Sequence, residues 1–156
     1  MAVLALGVVG ALLMIAAELT PLFEVEVAVA SCEDLAQPEL SDLCLTRGGE
    51  QHAFGLVLLA LVAAVMSAGA AFGASRPAAV ALCVVGGVVL GIALAIDLPA
   101  SRSTGEIGRD FSDARAVMGP GLWLELIAGA LTLAAGAIGL RLARSGEARK
   151  RELPHR

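Results

Sequence analysis

The sequence predicts an all-α membrane protein, a four-transmembrane-helix bundle with a small disulfide-linked, β-containing extracytoplasmic cap. Three observations carry that expectation. Of 156 residues, 58% are hydrophobic and only 17% are charged, against about 45–50% and 25% in soluble domains. The apolar residues gather into four segments, 2–22, 53–74, 78–98 and 122–142, each about the 20 residues a helix needs to cross a bilayer. All four are apolar on every face, whereas a core helix of a soluble protein keeps a polar side. At this length one domain is expected, 1–156, with outer loops at 23–52 and 99–121 and a tail at 143–156.

A segment surrounded by lipid must satisfy its own backbone hydrogen bonds, so each span is expected to be helical. Pro21 closes the first span, Pro77 and Pro120 open the third and fourth where a missing N–H costs nothing, and Pro99 stops the third. The first segment is read as an uncleaved span. Val29-Ala30-Ser31-Cys32 resembles a lipidation site, but no Lys or Arg precedes Arg47, and a signal peptide needs a basic start.

Orientation follows from the basic residues. Arg76, Arg141, Arg144, Arg149, Lys150, Arg151 and Arg156 flank one side, against Arg47, Arg102, Arg109 and Arg115 on the other. The richer side is cytoplasmic by the positive-inside rule. The expected location is therefore the plasma membrane, multi-pass, with both termini cytoplasmic. The single Lys against ten Arg, with no Asn or Tyr, points to a GC-rich bacterial genome. The short link Ser75-Arg76-Pro77 makes the second and third spans an antiparallel hairpin.

Between the first two spans, Phe23 to Ala30 alternates apolar with polar or small residues, the period of a half-exposed strand. Cys32 and Cys44 follow. On an oxidising membrane face this pair is expected to form a structural disulfide, stabilising the loop by about 2–4 kcal/mol. Redox catalysis is disfavoured because the chain has no Cys-x-x-Cys. Cys83, mid-span, reads as a small packing residue.

Glu18, Asp97 and Glu125 lie within or at the ends of spans, and intramembrane acids are candidates for function. The topology sets all three near the outer interface, as a candidate ion or ligand site. The competing expectation, favoured on charge cost, has them at headgroup level or paired with Arg102, Arg109 or Arg115. Trp123 fits an interfacial anchor. Small residues at four-residue spacing, Gly87/Gly91, Ala64/Ala68 and Ala135/Gly139, suit helix packing or contact with a second copy. The basic end, Ser145 to Arg156, reads as a solvated tail that fixes topology. His52 and His155 stand alone, without metal spacing. No catalytic residues, no metal and no cofactor are expected, and no nucleic-acid partner; the bilayer, a membrane-protein partner or a second copy are.

The strand-like Phe23 to Ala30, the Cys32/Cys44 pair and the Gly119-Pro120-Gly121-Leu122-Trp123-Leu124 start of the fourth span resemble the claudin and peripheral myelin protein superfamily in layout. That group's Gly-Leu-Trp ahead of the first loop cysteine is absent, since Val27 to Ser31 stand there. The resemblance implies cytoplasmic ends, a β-rich first loop with a disulfide, and a structural or adhesion-like role. The expected function is thus a non-enzymatic scaffold or accessory subunit meeting a partner through its outer loops. The alternative is a small ion- or proton-coupled transporter using Glu18, Asp97 and Glu125; an acid in the first of four short helices is similar to the small multidrug resistance transporters.

Overall fold

The computed structural model describes residues 1–27, 30–31, 45–105, 107–110 and 112–152. Four helices are long and apolar enough to cross a membrane: α1 (Ala2–Leu19), α3 (Gly55–Phe72), α4 (Arg76–Ala100) and α6 (Pro120–Glu152). Two short helices, α2 (Gly48–His52) and α5 (Ile107–Asp110), lie in the connections. α1 packs on α3 and α6, α3 on α4, and α4 on α6. The spans therefore close a ring in which successive spans are neighbours, as short connections favour.

The prolines act at the boundaries. Pro77 lies in the first turn of α4, where Ser75 Oγ accepts the Ala78 N–H at 3.5 Å, and Pro120 begins α6. α1 ends at Leu19, short of the expected residue 22, because Pro21 already starts a strand. Pro99 does not stop α4. The helix instead widens into a π-turn over Ala93–Asp97, with the Leu98 N–H bonded to the Ala93 carbonyl five residues back, and continues to Ala100. A proline removes one helical bond and crowds the carbonyl four residues earlier, and the wide turn just before it accommodates that defect.

The core combines many alanines with larger side chains such as Met14, Leu56 and Leu82. Gly86 lies so close to α6 that an added Cβ would sit 2.5 Å from Leu133 N, the close backbone approach that small residues permit. Gly87 and Gly91 face open space, so that spaced pair does not pack within the bundle. Ala135 is fully buried, Gly139 lies against Ala79, and Cys83 is a half-buried free thiol opposite Gly136. Trp123 is exposed on the outside. α6 continues beyond the expected span into the basic segment, to Glu152.

The expected strand is present. β1 (Pro21–Val27) is the centre of a four-stranded antiparallel sheet with β2 (Ala30–Ser31), β3 (Leu45–Arg47) and β4 (Ala114–Met118). β3 pairs with the start of β1 and β2 with its end, while β4 runs along it from Phe23↔Met118 to Val27↔Ala114. Strand β4 comes from the second long connection, so the sheet joins both long loops at one end of the bundle. The Gly119 N–H donates to the Leu22 carbonyl at 2.8 Å, and a Cβ on Gly121 would meet the Pro21 carbonyl at 2.7 Å. This glycine pair lets the start of α6 press against the start of β1. Cys32 and Cys44 lie outside the described residues, as does His155.

A buried carboxylate–histidine cluster

Each of the three predicted acids is carried inward by its helix. On α1 the buried stripe runs Gly7, Gly10, Met14, Ala17 and Glu18, so Glu18 follows Met14 by about one turn. On α6, Leu122, Glu125, Ala128, Thr132 and Ala135 form the equivalent stripe. Asp97 ends the π-turn, one place after the exposed Ile96, and is buried with Ala93. Exposures are 1% for Glu18, 1% for Asp97 and 0% for Glu125. Among the described residues none of the three acids pairs with Arg102, Arg109 or Arg115; the ion pair that does form is Asp97 with His52.

His52, expected to stand alone, is the fourth member of the group. It ends α2, and its Nε2 lies 3.1 Å from Asp97 Oδ1 and 3.2 Å from Oδ2. Two glycines bring α2 onto the end of α1: a Cβ on Gly48 would sit 2.7 Å from the Ala17 carbonyl oxygen, and one on Gly49 would sit 2.9 Å from the Phe54 ring. Ala53 and Phe54 then turn the chain into α3 with φ of 49° and 61°, a left-handed conformation that costs a non-glycine residue about 1–3 kcal/mol. The hydrogen bond to Asp97 raises the His52 pKa above its ordinary 6.5; burial opposes the rise, and the negative charges of Asp97 and Glu18 add to it.

One oxygen of Glu18 has a structural task. Glu18 Oε1 accepts the Leu56 N–H at 2.7 Å, capping the first turn of α3, whose own cap residue Phe54 supplies no side-chain bond. A carboxylate is favoured at that positive helix end. The other polar atoms of the cluster are not satisfied. Glu18 Oε2, His52 Nδ1 and both oxygens of Glu125 are the buried side-chain atoms without a partner among the described residues. Elsewhere in the bundle, Ser67 and Thr132 return their hydroxyls to carbonyls four residues back, at 2.6 and 2.8 Å.

Ligand-type atoms of His52, Asp97 and Glu125 all lie within 4.8 Å of one another. No metal was expected from spacing alone, yet one imidazole nitrogen and two carboxylates converge in a buried space, with Glu18 beside them. Glu18 also lines a cleft together with Leu19, Arg47, Gly49, Glu50 and Phe54. Its rim residues Arg47, Glu50 and Phe54 are exposed. The signal that could have found His52 is depth: it precedes the third helix at the same bundle end as the three acids. Comparison with protein-family models, curated proteins and solved structures returns no match.

Proposed function

We propose that this multi-pass membrane protein is a small ion- or proton-coupled carrier, whose coupling site is formed by Glu18, His52, Asp97 and Glu125. The observation that carries the reading is Glu125: fully buried, both oxygens unpartnered, and beside Asp97 and His52. An uncompensated buried carboxylate costs several kcal/mol, so two or three gathered in one place favour taking up a cation or a proton. With the cytoplasmic side assigned by the basic residues, the sheet, the cleft and the cluster face the exterior. The test is flux in proteoliposomes under imposed proton and cation gradients. Flux by the wild type and its loss in Glu125→Gln support the carrier; a wild type without flux, or a variant with undiminished flux, rejects it.

A second reading is a scaffold or accessory subunit that meets a partner through its outer loops, in keeping with the claudin-like layout. It is favoured by the four-stranded sheet, which draws both long connections into one surface. A protein that is strictly monomeric and copurifies with no reproducible partner from its native membrane would remove that support.

A further inference from the structure

We infer that the buried cluster is a binding site for a divalent first-row transition-metal ion, with His52, Asp97 and Glu125 as ligands and Glu18 beside them at the cleft. The inference rests on the reading that this site takes up a cation, and it names the cation's class.

Geometry is the first support. Nitrogen and oxygen ligands lie about 2.0–2.2 Å from a bound zinc-like ion, so two ligands of one ion are about 3.0–3.5 Å apart. His52 Nε2 and the two Asp97 oxygens are already at 3.1 and 3.2 Å. The Glu125 ligand atom lies within 4.8 Å of both residues, a short side-chain movement from the same sphere. Glu125 also supplies the independent observation that an acidic cluster alone lacks, a completely buried carboxylate with no partner on either oxygen.

Charge and ligand type narrow the ion. With the imidazole as a neutral ligand in the bound form, the ionised carboxylates of Asp97 and Glu125 match the charge of a divalent ion, and no Lys or Arg pairs with these acids among the described residues. Calcium and magnesium prefer oxygen-only shells, whereas an imidazole nitrogen beside carboxylates suits zinc, iron, cobalt or nickel.

The test uses full-length protein in detergent, stripped with chelator and titrated with Co2+ while visible absorption is recorded. Wild type should bind one Co2+ per chain with new d–d bands. Zn2+ should displace it, and about 100-fold excess Ca2+ should not, as ligand softness requires. Glu125→Gln and His52→Gln should each weaken Co2+ binding by more than the 10–100-fold typical of an outer-shell partner, while Glu50→Gln at the rim keeps the spectrum. Wild type without bands, displacement by Ca2+ as effective as by Zn2+, or a spectrum unchanged in a folded Glu125→Gln variant overturns the assignment. The Ca2+ competition needs no variant, so misfolding cannot obscure the result. Proton flux lost in Glu125→Gln without Co2+ binding overturns the metal and leaves the carrier. Co2+ binding without flux does the reverse.

Discussion

His52 Nε2 meets the Asp97 carboxylate at 3.1 Å, joining residues 45 apart in the chain through the end of one short helix and the π-turn of a long one. The contact fixes the protonation chemistry of the accessible edge of the cluster. In chelator-treated protein, an NMR titration of His52 should give a midpoint above 6.5, and Asp97→Asn should lower it. The sign of the stability effect follows. A raised folded-state pKa contributes stability that is fully present below 6.5 and is lost as pH rises through the raised value. The wild type's higher unfolding temperature relative to Asp97→Asn should therefore shrink on the alkaline side. A His52 midpoint at or below 6.5 would contradict the pairing.

Glu18 acts on the fold as well as on the cluster. Removing its carboxylate in Glu18→Ala leaves the buried Leu56 N–H without its acceptor, a loss of about 1–3 kcal/mol. Glu18→Gln keeps an acceptor oxygen and should lose less. Unfolding by denaturant in detergent separates the two variants, and equal stability of wild type and Glu18→Ala would rule out the capping role.

The glycines differ by position. Gly48→Ala drives a methyl against the Ala17 carbonyl and the Glu18 Cα, so a loss of about 1–3 kcal/mol is expected from overpacking, together with weaker Co2+ binding as α2 shifts. Gly87 has nothing within 4 Å; Gly87→Ala should be neutral, or stabilising by up to about 1 kcal/mol through helix propensity. Thermal unfolding of the two variants is the check, and the reverse order would contradict the packing.

The cysteine pair gives a separate prediction. Mass spectrometry of unreduced peptides should recover Cys32 linked to Cys44, with Cys83 alkylated as a free thiol. Reduction should lower stability by about 2–4 kcal/mol. Alkylation of Cys32 and Cys44 in unreduced protein would exclude the bridge.

The four spans were legible because hydropathy over 20 residues is a one-dimensional property. β1 was legible for a similar reason, since Phe23 to Val27 alternates visibly. Strand β4 was not, because Ala114–Met118 carries only a weak alternation and its pairing with β1 joins segments about 90 residues apart. The inward stripes of Glu18 and Glu125 follow helical period, so their common depth could be read. The π-turn that sets Asp97 inside carries no such signal: Pro99 read as a stop, whereas the helix widens ahead of it and continues. His52 looked solitary because its partners arrive from three separate helices.

Whether His52, Asp97 and Glu125 share one ion is visible directly by anomalous diffraction from crystals grown with Zn2+ and measured across the zinc absorption edge. The expected map holds one strong peak inside the bundle, about 2.0–2.2 Å from His52 Nε2 and from an oxygen of Asp97 and of Glu125. Anomalous peaks confined to surface carboxylates or to His155, with the buried acids unchanged, would contradict it.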